Sequence, residues 1–359
     1  MTQQMTDSTP DAPEPTAGTG PVPLDRRQVV FLMYENRSGS TFLASRLDLH
    51  PEIGVTIETE TFADLLEAGP DIRTDDDVAR IVRTFQAEAK FAEWNIPAER
   101  LRDRLAALPR PAPFDTVLRA VLDLYFDGGP LPYYLVKGTR LTHHIARLRQ
   151  AAPGARFLHI IRDPRGVFGS QKISVGSETA TAMNRDPLDA ARRWAANARR
   201  VDRVAGPDLM EVRYEDLITD HDATMAAIRA FMQRPDLPPI APPGELDGEA
   251  YLARIPESQR HLHSNLVRKP RADRIEAWRE ELTPVQIALT QRGAGEVLAA
   301  KGYAPDPDAA RRAGALRLLL ARARLTLQTL TKRLVNVFRY ARQGKLLWRI
   351  RVVLYRLRA

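Results

Sequence analysis

A short apolar run, Val29-Val30-Phe31-Leu32-Met33-Tyr34, passes straight into a polar turn, Asn36-Arg37-Ser38-Gly39-Ser40-Thr41, and then into a helical pattern from Phe42. A run with no polar alternation suits a strand buried on both faces, as in a parallel sheet. Parallel neighbours cannot be joined by a tight hairpin, so the chain must cross over between strands, and helices must cover both faces. The rest of the sequence meets that demand. Strand patterns at 53–57, 133–136, 156–161 and 209–213 alternate with helical patterns at 142–150, 187–204 and 222–232. The spacing predicts an α/β fold with one parallel sheet flanked by helices.

Between the second and third strand patterns, residues 62–126 read as helical and charged, broken at Pro97, Pro109, Pro111 and Pro113. This is a helical insertion, bounded at 62–130. Residues 233–243, with Pro235 and Pro238, read as a surface loop. Thr283-Pro284 opens the last body helix as cap plus first-turn proline, and Gly302 closes it. The expected organisation is a leader at 1–24, a single domain at 25–305 and a tail at 306–359.

The 359 residues are enough to bury a substantial core. With no cysteine, disulfides and thiolate metal sites are excluded, and the histidines show no ligand spacing, so no metal is expected. The first two dozen residues have neither a basic stretch nor an apolar core, and their Pro, Thr and acidic residues predict a disordered leader. A cytoplasmic protein is the expectation, with no nucleic-acid partner. Charge is unevenly spread. Of the 53 Lys and Arg, 14 lie between Arg311 and Arg358, where no acidic residue follows Asp308. The remainder holds 39 basic against 45 acidic residues, a net of −6. Residues 311–359 alternate Leu, Val and aromatic side chains with Arg and Lys. No uncharged stretch there nears the roughly 18 apolar residues of a spanning helix. A basic amphipathic helix of this kind suits the surface of an anionic membrane, as at an inner membrane face. Packing on the body or an oligomer contact is the alternative.

Strand, glycine-containing polar loop, helix is the geometry that cradles phosphate. Backbone N–H groups at the helix start point at the anion and the helix dipole adds to the attraction. Arg37 adds charge and a planar fork of donors, Gly39 allows close approach, and Ser38, Ser40 and Thr41 offer hydroxyls. The loop lacks the Gly-Lys-Ser/Thr ending of nucleoside triphosphatases. A second anion site is suggested by Arg162-Asp163-Pro164-Arg165, which ends a strand pattern, and by Ser170 eight residues after Arg162. Ligands bind at that end of strands in open α/β sheets.

Together these two motifs resemble the sulfotransferases that use 3′-phosphoadenosine-5′-phosphosulfate (PAPS). In that family an R-S-G-[ST]-[ST] loop binds the 5′-phosphosulfate and an R-D-x-R-x-x-x-x-S segment binds the 3′-phosphate. The resemblance runs from about Val29 to Trp278 and is nearest to the arginine-loop branch, which holds tyrosylprotein and bacterial carbohydrate or lipid enzymes. It implies a P-loop-type sheet, with PAPS as donor and PAP as product. It further implies that Arg37, Ser38, Gly39, Ser40 and Thr41 hold the phosphosulfate, Arg162 and Ser170 the 3′-phosphate, and Tyr214 the adenine. Lys269, with Arg37, would neutralise the leaving group, and Glu58 would be the base. Glu60, His143, His144 and His263 are the alternative bases, and Ser258 or Ser264 could support the sulfuryl group. Lys137 follows the third strand pattern, where it either faces the site or, as the favoured reading, is a surface lysine. The absence of cysteine departs from the tyrosylprotein enzymes and argues against a tyrosyl-peptide acceptor, while a tail at a membrane surface would favour a lipid or glycolipid; a carbohydrate, glycolipid or other lipid hydroxyl is the expected acceptor. Other readings of the same loop are an ATP-using phosphotransferase and a membrane-recruited nucleotide-binding protein without catalysis.

Overall fold

In the computed structural model, which describes residues 28–88, 90–127, 131–174, 183–233 and 272–342, the apolar run becomes strand β1 (Gln28–Tyr34) at the centre of a five-stranded sheet. Side chains alternate across a strand, and here the two sets enter different cores. Val29, Phe31 and Met33 pack into one cluster, while Val30, Leu32 and Tyr34 pack into the other. That is why the run carries no polar alternation.

After β1 come α1 (Ser40–Leu47) and the short β2 (Ile53–Val55). The insertion follows as α2 (Thr61–Ala68), α3 (Asp75–Ala87), α4 (Ala98–Ala106) and α5 (Phe114–Tyr125). The chain then runs through β3 (Tyr133–Gly138), α6 (Ile145–Ala151), β4 (Arg156–Ile161), α7 (Pro164–Ile173), α8 (Pro187–Arg203) and β5 (Leu209–Arg213). It continues with α9 (Tyr214–Thr219), α10 (His221–Phe231), α11 (Pro284–Ala294) and α12 (Ala315–Arg342), with shorter helical turns between the last two.

The strand order is β2-β3-β1-β4-β5 and every pairing is parallel. From β1 the chain goes out on one side to β2, returns to β3, then crosses to β4 on the other side. Strand order therefore reverses at the C-terminal end of β1, the position at which open α/β sheets bind their ligands. All five strands run the same way, so the segments that follow β1, β3, β4 and β5 gather along one edge.

The insertion covers one face of the sheet and shares its core. Phe62 meets Phe85, Trp94 and Phe114 with ring centroids 5.9, 6.2 and 6.5 Å apart, all edge-on. These rings belong to the cluster that also holds Val29, Phe31 and Met33.

Several predicted boundaries move, each for a local reason. The strand expected over 53–57 ends at Val55, and the chain beyond it bonds more loosely to β3, through Thr56 N to Leu135 O and Thr59 N to Lys137 O. The helix expected over 142–150 is split into a 3-10 turn, Arg140–His143, and α6. The last body helix starts as expected, with Thr283 and Gln286 forming a reciprocal capping box. It stops earlier than Gly302, because Gly295 adopts φ 59° and starts a new turn, Val297–Ala300. The loop expected at 233–243 lies outside the described residues except for Gln233.

Phe62→Ala should remove the hub of this aromatic cluster and cost about 3–5 kcal/mol of stability. Urea unfolding checks this; a cost below about 1 kcal/mol would mean that the insertion does not support the sheet.

Candidate active site

The turn after β1 is built to expose backbone donors. Ser38 N–H is spent on Glu35 O at 3.1 Å, and the first intrahelical bond of α1 runs from Leu43 N to Gly39 O at 3.1 Å. Gly39 is the N-cap and has no side chain to satisfy the N–H groups of the first turn. Two residues of the turn are left-handed: Gly39 at φ 91° and Arg37 at φ 75°. For arginine that conformation costs about 1–3 kcal/mol. Gly39 is required on a second ground, since a Cβ there would lie 2.3 Å from Tyr214 Cδ2.

Arg37 reaches across to the second motif, its Nε donating to Ser170 Oγ at 2.9 Å. Arg162 Nη1 donates to Arg37 O at 3.3 Å and Nη2 to Arg274 O at 3.2 Å. Its guanidinium carbon lies 4.3 Å from the centroid of the Tyr214 ring, a cation–π contact. Arg162 Nε is buried without a hydrogen-bond partner among the described residues. Burial and the neighbouring Arg162 charge both push Arg37 below the usual guanidinium range. Two guanidiniums held this close repel each other, and a bound anion relieves that repulsion.

Polar anchors fix this cluster from below. Asn197 Nδ2 donates to Glu35 Oε2 at 2.9 Å, and Gln171 Nε2 donates to Asn36 O at 3.0 Å. Burial pushes the Glu35 carboxyl up. Trp194 Nε1 donates to Arg162 O at 2.9 Å, and buried Glu215 accepts from Asp163 N and from Tyr303 OH, each at 3.0 Å. Asp163 caps α7 and pairs with Arg165 at 2.6 Å. Arg165 lies 3.8 Å from the Trp278 ring centroid and donates to Gln291 Oε1 and Ala304 O.

Beside the loop stands a carboxylate flanked by two lysines. Glu58 Oε2 accepts from Tyr34 OH at 2.6 Å, and Oε1 pairs with Lys90 Nζ at 2.5 Å. Burial raises the Glu58 carboxyl, but the charges of Lys90 and Lys137 and the bonds from Lys90 and Tyr34 outweigh it and hold the group at about 2. Lys137 is buried rather than on the surface, which corrects the sequence expectation. It donates to Thr41 Oγ1 at 3.2 Å and lies 5.8 Å from the Tyr34 ring centroid. Burial lowers its ammonium to about 8 against the pull of Glu58. Lys137 thus links the loop hydroxyl to the carboxylate.

Glu60 is separated from Glu58 by its partners. It accepts from Thr139 N, Thr139 Oγ1 and Arg140 N at 2.9, 2.6 and 3.0 Å, which fastens the turn after β3. His144 pairs with Glu67 at 3.2 Å, and His143 Nδ1 lies 3.3 Å from Thr142 Oγ1. Ser38 is wholly buried, and its hydroxyl has no partner among the described residues. Lys269, Ser258, Ser264 and His263 lie outside the described residues. No group of metal-ligating side chains occurs among the described residues.

The model of the sulfotransferase family matches residues 30–239, which include the loop, the carboxylate and the Arg162 segment. The chain belongs to the sulfotransferase family. Its five-stranded sheet resembles that of a sulfotransferase domain from the curacin biosynthetic pathway, with a TM-score of 0.51 at 14% identity over 78% of this chain and 99% of that one. At such identity the likeness concerns the fold alone. A sulfotransferase domain of the Synechococcus PCC 7002 olefin synthase aligns at 18% identity, over 75% of this chain and 95% of the other, with a TM-score of 0.44. A Mycobacterium avium sulfotransferase aligns at 14% identity, over 79% and 78%, with a TM-score of 0.39. No curated protein sequence matches significantly.

Of the two lysines beside Glu58, Lys137 was expected mainly at the surface and Lys90 was not anticipated. Lys137 carried a signal, because it ends a strand pattern in line with the loop. Lys90 carried none, because only the folding of the insertion brings it to Glu58. Lys90→Ala should raise the Glu58 carboxyl from about 2 towards its unfolded value of 4.5. Carbon-13 NMR titration of the carboxylates checks this. The folded value lies below the unfolded one, so Glu58 contributes fully to stability above about pH 4.5 and loses that contribution as pH falls towards 2. The variant should narrow that window; an unmoved Glu58 titration would show that the ion pair does not set it.

Proposed function

We propose that this sulfotransferase takes the sulfuryl group of PAPS and delivers it to an acceptor hydroxyl by in-line displacement, with Glu58 as general base. The observation that carries the reading is the direct bond between Arg37 and Ser170, with Arg162 stacked on Tyr214 beside them. Two anion-binding motifs far apart in sequence form one polar cluster against an aromatic ring, as a nucleotide with separate 5′ and 3′ charges demands. Arg162 Nε, which has no hydrogen-bond partner among the described residues, and the first turn of α1, which has no side-chain cap, fit such a donor.

The donor supplies an activated sulfuryl group. This chain's residues do the rest. Arg162, Ser170 and Tyr214 would hold the 3′-phosphate and adenine, which selects PAPS against ATP. The N–H groups at Gly39, Ser40 and Thr41 and the side chain of Arg37 face the phosphosulfate. As the acceptor oxygen bonds to sulfur and the sulfur–oxygen bond to phosphate breaks, negative charge moves onto the departing phosphate. Arg37, Lys137 and, in this reading, Lys269 stabilise it. Glu58 takes the acceptor's proton. It stays ionised at neutral pH, and the Lys90 pair keeps it oriented.

The insertion supplies Lys90, and its Glu88 binds Thr59 Oγ1 at 2.7 Å and Glu60 N at 2.7 Å. It therefore borders the side from which an acceptor reaches Glu58. A carbohydrate, glycolipid or other lipid hydroxyl is the proposed acceptor, met by a cytoplasmic enzyme at a membrane surface.

Calorimetry should show tight binding of 3′,5′-ADP, weaker binding of 5′-AMP and ATP, and a loss of roughly 1–3 kcal/mol for Arg162→Ala. Equal binding of all three nucleotides would remove the donor assignment. Glu58→Gln should keep the affinity for 3′,5′-ADP while lowering turnover by about 10²–10⁴; undiminished turnover would exclude it as base. Lys137 loses its charge as pH rises through about 8. Affinity for 3′,5′-ADP should therefore fall above that pH in the wild type, and this dependence should vanish in Lys137→Met.

A further inference from the structure

Helix α12 follows a left-handed glycine, Gly314 at φ 78°, and runs for 28 residues. Its first turns pack on α11 and on the helical turn Ala309–Ala313. The packed face is marked by Leu318, Ala321 and Leu325, which are half-buried and spaced at helical intervals. A second leucine stripe runs along the opposite face. Leu316, Leu319, Leu320 and Leu327 are 68, 62, 60 and 66% exposed, and they fall on one side of a 3.6-residue repeat. Few large apolar side chains are as open elsewhere among the described residues; Ile173 is one, at 64%. Both stripes together make α12 apolar on two sides, and the described residues of the body cover only one of them.

The flanks of the open stripe are cationic. Arg317, Arg322 and Arg324 are exposed, and the helix sequence contains no Asp or Glu to neutralise them. No helix among the described residues is long and apolar enough to cross a membrane. A second copy of α12 laid on the stripe would bring like charges together with no acid between them. An anionic lipid surface offers hydrocarbon to the leucines and phosphate to the arginines at once.

We propose that α12 lies in the headgroup plane of an anionic bilayer, with Leu316, Leu319, Leu320 and Leu327 inserted and Arg317, Arg322 and Arg324 on the lipid phosphates. The packing of α12 on α11 and on Ala309–Ala313 holds the helix to the body, so the catalytic domain is carried on the membrane rather than tethered at a distance. This stands apart from the sulfuryl-transfer reading, because lipid binding needs neither donor nor acceptor.

The test is co-sedimentation of the full chain with vesicles of phosphatidylcholine alone and with about one quarter phosphatidylglycerol. Binding should favour the anionic vesicles by roughly tenfold or more and weaken as salt rises from about 0.1 to 0.5 M. L316Q/L319Q/L320Q/L327Q should lose roughly tenfold or more in affinity while keeping its thermal midpoint and its binding of 3′,5′-ADP. R317E/R322E/R324E, which keeps the leucines, should lose the preference for anionic lipid. Absence of binding by the wild type overturns the proposal, as does undiminished binding by both variants. So does a wild-type dimer, seen by light scattering, that the leucine variant converts to monomer, because the stripe would then be covered by a second copy.

Discussion

Strand β1 is paired on both edges and buried on both faces, and the turn that follows inherits its rigidity. The turn needs that support because it holds Arg37 in a left-handed conformation and keeps the first N–H groups of α1 uncapped. Both features cost free energy in the isolated protein. The sheet offsets the cost through two cores, one under each face, and through polar anchors from α7 and α8 beneath the turn. Strand polarity does the remaining work. With every strand parallel, the segments after β1, β3, β4 and β5 share one edge, so Arg37, Lys137, Arg162 and Tyr214 meet without any contact between their sequences.

The electrostatics of the site divide into two unlike halves. Around Arg37 and Arg162, positive charge is gathered at some cost. Around Glu58, a carboxylate is kept ionised by Lys90 and by a tyrosine hydroxyl. Lys137 stands between them, with its ammonium on Thr41 and its charge felt by Glu58. The proposed transfer, which moves negative charge onto a phosphate and a proton onto a carboxylate, would use both halves in one step.

Much of this was legible in the residues. The apolar run and the βα alternation together pointed to the class of fold, because a parallel sheet covered by helices buries such strands on both faces. Arg37, Arg162 and Ser170 were legible from chemistry and spacing, and Arg37 proved to bond Ser170 directly. What escaped depends on side-chain direction or on distant packing. Glu58 and Glu60 lie on the same side of an extended segment by spacing alone, yet one faces Lys90 and the other fastens the Thr139 turn. Lys137 reads as a surface lysine until β3 is seen to be internal. The need for glycine at position 39 arises from Tyr214, 175 residues later in the chain. The leucines of α12 divide into a half-buried stripe and an exposed one once the helix docks on α11.

The Arg162 turn is fastened by residues that the ribosome makes well after the sheet. Tyr303 holds Glu215, which holds Asp163, while Trp278, Gln291 and Ala304 receive Arg165. Domains are synthesised from the N-terminus and pack as their parts emerge. The sheet and the Arg37 turn can therefore form during translation, well before the second anion motif has its supports. A nascent chain released short of Tyr303 would carry the sheet but would lack the partners that fasten Glu215, Asp163 and Arg165.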